Sequence, residues 1–312
     1  MPLENGQIED ATRIEKTIGT LKKLLDNQNQ IFLISHVGRP SGRDPKFSFE
    51  LILPKLEELL GEKVVLKEDF DQSVEGKVVL FENLRFWPEE EANDLEFAQK
   101  LARFGEVYVN ECFSVAHRNH ASVALLPTLL PAYAGLELGR EVKELHRILE
   151  NPARPLVAII GGAKLETKLP AITNLARVAD KVLVGGKLMF ELGETKLPEN
   201  VLVATDSIDQ KDIGPESVEL FKKEIDKAKT IVWNGPLGLF EEKEHSLGTK
   251  KVAELVASST AYSLVGGGDT IAALKEIGML EKVDFVSVGG GAMLEFLEGK
   301  KLPALQALGY YD

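Results

Sequence analysis

Apolar residues along this chain fall into two alternating kinds of run: short continuous blocks of four or five, and longer stretches where they return every third or fourth position. The short, β-branched blocks predict buried parallel strands, and the spaced ones predict amphipathic helices. Ile14, Ile18, Leu21 and Leu25 lie at helical spacing, with Asp10 and Thr12 as candidate caps. Strands are predicted over 31–34, 63–66, 78–81 and 107–110, and helices over 49–60 and 96–104. A single helix is predicted over 136–150, closed by Asn151, Pro152 and Pro155. The alternation then resumes, with strands over 157–160, 181–184, 201–204, 230–233, 262–265 and 285–288 and helices over 248–257, 270–276 and 292–297. Polar residues gather at the C-terminal ends of the strands. The pattern predicts an α/β protein of two doubly wound parallel-sheet (Rossmann-like) domains, whose ligands sit at those strand ends. The boundaries fall at 1–135, a connector helix at 136–150, a second domain at 151–300 and a tail at 301–312.

Composition narrows the function. Of 312 residues, 44% are hydrophobic and 28% charged, ordinary values for globular domains. The net charge of −12 argues against nucleic acid or an anionic membrane as a partner. No apolar run approaches the roughly 18 residues of a membrane span, and nothing at the start reads as a signal peptide, so a cytoplasmic protein is expected. The single cysteine, Cys112, rules out an internal disulfide and a multi-cysteine metal site, and is expected to be a buried, inert thiol.

The stretch at 156–168 holds the first candidate chemistry. Gly161 and Gly162 break an apolar strand, and from Leu165 the chain reads as a helix interrupted early by Pro170. Strand, glycine turn and helix N-terminus together attract phosphate. Lys164 and Lys168, four apart, would project from one helix face. A strand followed by a solvated lysine pair stays open as the bland alternative. In the first half His36, Arg39, Arg85, His117, Arg118 and His120 recur after successive strands, with Arg13 upstream. Arginine grips phosphate or carboxylate bidentately, so their recurrence predicts a pocket for a small anion. His146 and His245 read as surface residues. In the second half, glycine clusters at 235, 266–268 and 289–291 allow close backbone approach to phosphates. Asp269 is placed to hold Mg²⁺ or, equally, to cap a helix. The glycine–lysine signature of P-loop enzymes is absent, as is the dinucleotide fingerprint after the first strand.

Seven motifs then appear in order: Ser-His-Val-Gly-Arg-Pro (35–40), Glu-Asn-Leu-Arg-Phe (82–86), Ala-His-Arg-Asn-His-Ala-Ser (116–122), Gly-Gly-Ala-Lys (161–164), Val-Trp-Asn-Gly-Pro-Leu-Gly (232–238), Gly-Gly-Gly-Asp-Thr (266–270) and Gly-Gly-Gly-Ala-Met-Leu-Glu-Phe-Leu-Glu-Gly-Lys (289–300). Together they resemble the phosphoglycerate kinases over nearly the whole chain. The resemblance implies Mg²⁺-dependent, reversible phosphoryl transfer from 1,3-bisphosphoglycerate to ADP, giving 3-phosphoglycerate and ATP. It implies a phosphoglycerate-binding first domain and a nucleotide-binding second domain with a cleft between them that closes about the connector helix, and a tail packing back on the first. It assigns Arg13, His36, Arg39, Arg85 and Arg118 to phosphoglycerate, and Arg13, Lys168 and Gly290 to catalysis. Gly161, Gly162, Lys164, Lys168, Gly185, Gly186, Asn234, Pro236, Glu241, Gly267, Gly268, Asp269 and Thr270 fall to the nucleotide, with Glu241 on the ribose and Asp269 on Mg²⁺. A cytoplasmic monomer acting on small molecules is the family expectation.

Three departures stand against that pattern. Family members open with a strand ending in Arg-x-Asp-x-Asn-Val-Pro, whereas this sequence begins at Met1-Pro2-Leu3, which suggests a mis-assigned start codon and predicts poor folding and weak phosphoglycerate binding as written. The stretch between Gly186 and Ile213 is short, with Lys187 where glycine is usual. Asn110-Glu111-Cys112-Phe113-Ser114 replaces a commoner Asn-Asp-Ala-Phe-Gly. The alternatives are a catalytically defective, nucleotide-binding paralogue or an inactive truncated form. A dehydrogenase fails on its phosphate motifs.

Overall fold

The computed structural model describes residues 3–4, 7–8, 11–70 and 75–312, which form two compact units, Met1–Arg140 with Lys301–Asp312, and Glu141–Lys300. In the first unit, α1 (Thr12–Asp26) buries Leu21 and Leu25. Asp10 lies outside the described residues, and Ala11 occupies the cap position, so Thr12 opens the helix instead of capping it. After β1 (Ile31–Leu33), the predicted helix over 49–60 is divided into a tight turn at Phe49–Leu51 and α2 (Leu53–Leu60). Pro54, in the first turn of α2, has no N–H to give, so a helix starts there readily but does not run through from before it. Next come β2 (Val64–Lys67), β3 (Val78–Phe81), α3 (Leu95–Ala102), β4 (Tyr108–Asn110) and β5 (Ala132–Ala134). The sheet is in two parts: a parallel three-stranded piece ordered β1-β3-β2 and a parallel pair β4-β5. α4 (Leu136–Glu150) carries the chain from this unit into the second.

The second unit runs β6 (Leu156–Ile160), α5 (Leu165–Val178), β7 (Lys181–Val184), β8 (Val201–Val203), α6 (Pro215–Ile225), β9 (Thr230–Asn234), α7 (Leu247–Ser258), β10 (Tyr262–Gly266), α8 (Gly268–Glu276), β11 (Phe285–Ser287) and α9 (Gly291–Leu297). Its six strands are parallel and ordered β8-β7-β6-β9-β10-β11. In chain order that is 3-2-1-4-5-6, the doubly wound arrangement, with the reversal between β6 and β9. Both central strands are buried along their whole length, which explains the unbroken apolar run of β6 and the apolar centre of β9. The core on one face gathers Val157, Ile159, Leu183, Phe221, Trp233 and Val265. Helices cover both faces, as a parallel sheet requires.

Two expectations fail here. α5 does not stop at Pro170 but continues eight residues beyond it to Val178. Ala171, Ile172 and Leu175 are buried, and packing that face offsets the lost hydrogen bond at an exposed proline. No element is predicted between 204 and 230, where the structure has α6 and a small hairpin pairing Ser207–Ile208 with Asp212–Ile213. Pro215 followed by Val218, Phe221 and Ile225 was the available signal. α10 (Pro303–Ala307) closes the chain on the first unit, where the Ala304 N–H donates to the Ala116 carbonyl.

Candidate functional site

The turns after β6 and β9 interlock at the point where strand order reverses. The Gly161 N–H donates to the Asn234 carbonyl at 3.0 Å, and the Gly162 N–H to the Pro236 carbonyl at 2.7 Å. A Cβ on Gly161 would run into the Pro236 carbonyl, and one on Gly235, whose φ is +97°, into the Gly161 carbonyl. Only glycine lets the two turns approach this closely. Gly185 and Gly186, after β7, pack on the same spot: the Gly185 N–H donates to the Ile160 carbonyl at 3.1 Å. From α8, the Thr270 hydroxyl accepts the Gly235 N–H at 2.7 Å and ties a fourth strand end to the other three.

Into this cradle α5 places Lys168. Its Nζ donates to Asn234 Oδ1 at 2.5 Å, and Asn234 is itself 2% exposed. Burial pushes the Lys168 ammonium down from its ordinary pKa, against the neighbouring carboxylates of Asp269 and Glu298, which favour the charge. Lys164 does not share a helix face with it. Lys164 stands in the cap position at φ +68°, just outside α5, and is exposed. The α5 N-terminus is also not bare, because the Leu165 N–H donates to Glu191 Oε2 at 2.8 Å, with Lys187 Nζ 3.7 Å from the other oxygen. Sequence reasoning missed Glu191. Its four-residue spacing from Lys187 was visible, but that the short helix Leu188–Glu191 brings it to the start of α5 was not.

Asp269 lies exposed in the first turn of α8, with Gly267 and not Asp269 in the cap position and Gly268 opening the helix. α9 follows the Gly289–Gly291 turn, with Gly290 at φ +50°. Among the described residues no group of three His, Cys, Asp or Glu side chains could hold a metal alone. A single exposed carboxylate beside a phosphate cradle nevertheless suits Mg²⁺, which takes one or two carboxylates and fills its remaining positions with phosphates and water. Glu241 lies exposed in the loop after β9, beside Glu242. His245 is not a surface residue. It is 6% exposed, with Nδ1 2.7 Å from Glu242 and Nε2 3.2 Å from Asp209, and these bonds, led by Asp209, raise its pKa.

The first unit gathers positive charge at the C-terminal ends of β1, β3 and β4. Arg85 is buried, with its Nη1 donating to the Gly38 carbonyl and Nε 3.0 Å from Glu91, while Nη2 has no hydrogen-bond partner among the described residues. Burial, then Arg118, and more weakly Arg39, push the Arg85 pKa down, with Glu91 opposing them. His36 is pushed down to about 3 by burial and by Arg85, Arg118 and His120. His120 is lowered by burial and by Arg118, although its Nδ1 lies 3.8 Å from the buried Glu90. Arg39, Arg85 and Arg118 therefore place mutually repelling charges around the lowered His36 and His120 inside a protein of charge −12. Such an arrangement is relieved by an anion. No contact among the described residues ties Arg13 to it; Arg13 lies exposed in the first turn of α1. Asn83 was quoted within a motif but given no role, and it builds this corner: its amide donates to the Val37 and Phe47 carbonyls and its Oδ1 accepts the Arg85 N–H. Cys112, two residues after β4, is exposed, not buried, with Sγ 3.1 Å from the Ser114 hydroxyl.

Comparison with known proteins bears on both halves. The family model described as phosphoglycerate kinase matches residues 1–197 and 193–300. The phosphoglycerate kinase of Dictyoglomus turgidum is 38% identical over 367 residues, spanning 99% of this chain and 93% of its own length. That of Chlorobium luteolum is 39% identical over 372 residues, spanning 99% and 94%. Among solved structures, phosphoglycerate kinase from Coxiella burnetii matches with a TM-score of 0.88 at 33% identity, over 99% of this chain and 94% of that one. The enzyme from Pyrococcus horikoshii matches with a TM-score of 0.83 at 28% identity, over 99% and 93%. An alignment of 367 residues exceeds this chain's 312, so the relative carries residues that have no counterpart here. The two family matches meet at 193–197, inside the shortened stretch between Gly186 and Ile213.

Proposed function

This chain belongs to the phosphoglycerate kinase family, a family of glycolytic phosphotransferases, and from that premise we propose how its residues divide the work of moving a phosphoryl group between 1,3-bisphosphoglycerate and ADP, giving 3-phosphoglycerate and ATP. The observation that carries the assignment is Lys168, a half-buried ammonium held by Asn234 where strand order reverses. Phosphoryl transfer needs little covalent help; the reacting oxygens must be lined up and the charge spread over the moving group neutralised. In a site shielded from water, Lys168 does this more effectively than an exposed lysine can. Lys164, Asn234, Thr270 and the glycine turns at Gly161, Gly162, Gly185, Gly186, Pro236, Gly267 and Gly268 hold the nucleotide, with Glu241 at the ribose. Arg13 and the backbone at Gly290 meet the phosphoryl group.

On the other substrate, Arg39, Arg85 and Arg118 grip the phosphate and carboxylate of phosphoglycerate, with the unpartnered Arg85 Nη2 offering a donor. The neutral His36 accepts or donates a hydrogen bond beside them. Asp269 would hold Mg²⁺, which supplies Lewis-acid neutralisation of nucleotide phosphate charge when bound. A cytoplasmic monomer acting on small molecules rests on the family alone. The charge of −12 supports the absence of nucleic-acid and anionic-membrane partners. A binding-only paralogue is not favoured, since Lys168 and Asp269 are both retained.

The test is a coupled assay of ATP formation from ADP and 1,3-bisphosphoglycerate, on the protein and on Lys168→Ala. The expected result is turnover in the parent and a loss of about 10²–10³-fold in kcat in the variant. Equal turnover would remove Lys168 from the chemistry. Nucleotide binding without turnover in the parent would restore the binding-only reading.

A further inference from the structure

His245 closes the loop that leaves the phosphate cradle after β9, and both nitrogens of its buried ring face carboxylates. Nδ1 lies 2.7 Å from Glu242 in the same loop, and Nε2 lies 3.2 Å from Asp209. A neutral imidazole has one N–H and a carboxylate only accepts, so both contacts are hydrogen bonds only in the imidazolium. Asp209 stands at the tip of the hairpin that pairs Ser207–Ile208 with Asp212–Ile213. Other bonds join the same two segments. The Lys211 carbonyl accepts the Leu239 N–H at 2.8 Å, the Leu237 carbonyl accepts the Ile213 N–H at 3.3 Å, and Lys211 Nζ donates to Glu242 at 2.7 Å. Asp212, 1% exposed, accepts the Gly248 N–H at 2.7 Å in the first turn of α7.

We propose that His245 is a positioning residue for nucleotide binding, an imidazolium that pins the loop 238–245 to the hairpin and so fixes where Glu241 meets the ribose hydroxyls. The proposal rests on the reading of Glu241 as the ribose residue. Glu241 is exposed and its side chain makes no hydrogen bond or ion pair among the described residues, so the backbone alone sets its place. The next residue, Glu242, is the one that His245 and Lys211 hold. Two of the holding groups, Asp209 and Lys211, come from the shortened stretch between Gly186 and Ile213, which thereby gains a part in nucleotide binding. The charged groups facing the ring are Asp209, Lys211 and Asp212 from the hairpin and Glu242 from its own loop, while Lys250, the first charge of α7, is exposed. The carboxylates raise the His245 pKa, so the clamp is complete at lower pH and opens as pH rises through that raised value. Asp212 sets the acid limit. Burial pushes its pKa up to about 6, and below that its carboxylate takes a proton and weakens its hold on Gly248 and Ile213. Affinity for the ribose is therefore highest between these two limits.

The test is calorimetric titration of the full chain with ADP and with 2′,3′-dideoxy-ADP, which lacks the ribose hydroxyls, from about pH 5 to about pH 10. The ratio of the two Kd values cancels the titration of the phosphates and of Lys168. In the parent, the preference for ADP falls about tenfold on the alkaline side, as loss of one hydrogen bond to a charged group predicts. His245→Gln is neutral at every pH; it shows the reduced preference at neutral pH, loses the alkaline limb and keeps the acid limb from Asp212. Asp209→Asn keeps the hairpin, because asparagine tolerates the φ of +52° at this position, and moves the alkaline limb to lower pH. An alkaline limb that survives His245→Gln would belong to another group and overturn the proposal. So would equal weakening of ADP and dideoxy-ADP, which is what a merely structural role predicts. If His245→Gln does not fold, an unmoved limb in Asp209→Asn overturns it instead. Glu241→Ala separates the two readings. ADP binding as tight as the parent's would remove Glu241 from the ribose and the proposal with it, whereas weakened ADP binding there with none in His245→Gln would sink the positioning role alone.

Discussion

Lys164 and Lys168 are four residues apart, but only one of them is inside a helix. The left-handed turn at Lys164 puts it in solvent, while Lys168 is drawn into the cradle by Asn234. Charge at these positions was legible in the sequence; which lysine is desolvated depends on a partner 66 residues away. Gly235 is similarly constrained, by φ +97° and by the Gly161 carbonyl opposite. Gly235→Ala is expected to cost about 2–4 kcal/mol in a denaturant melt and to weaken ADP binding. A wild-type melt would show that the two turns can part without penalty. His36 gives a prediction in pH. Its pKa is about 3 in the fold against an ordinary 6.5, so between those values the unfolded chain binds more protons. Stability associated with neutral His36 is therefore complete above about pH 6.5 and is lost as pH falls toward 3. His36→Gln should flatten the slope of unfolding free energy with pH by at most about 1.4 kcal/mol per unit, measured by urea melts between about pH 4 and 7. An unchanged slope would mean that His36 gains its proton freely in the fold.

Among the elements, strands were the most legible because β6 and β9 are buried on both faces, so β6 is apolar throughout and β9 is apolar from Ile231 to Trp233. Helix limits were less so. α5 passes through Pro170 because its other face packs Ala171, Ile172 and Leu175 into the core, a benefit that no propensity scale contains. Pro170 is exposed, so Pro170→Ala restores a backbone donor without disturbing that packing. The substitution should raise stability by about 1–3 kcal/mol, seen as a higher denaturant midpoint. No gain would mean that the helix is already bent to suit the proline and that the new N–H finds no carbonyl.

At the scale of the whole molecule, the first unit depends on a segment from the far end of the chain. Leu302 is 0% and Leu305 2% exposed within it, and each buried leucine contributes about 1.5–3 kcal/mol. Removal of residues 302–312 should lower the stability of the first unit by several kcal/mol and leave the second unit's amide protection unchanged, as read by native-state hydrogen exchange. Equal loss in both units would show that they unfold as one. The alternation of strands and helices, the glycine turns and the residue types at strand ends were determined by the sequence alone. Periodicity, chain stiffness and side-chain charge are local properties, written into consecutive residues. Tertiary structure alone decided that β6 lies beside β9, so that Gly161 meets Gly235, and that His36 is surrounded by arginines and kept neutral. It also decided that β1 and β4 line one cavity. Strand order, desolvation and a shared cavity arise from neighbours far apart in sequence, and no window along the chain contains both partners.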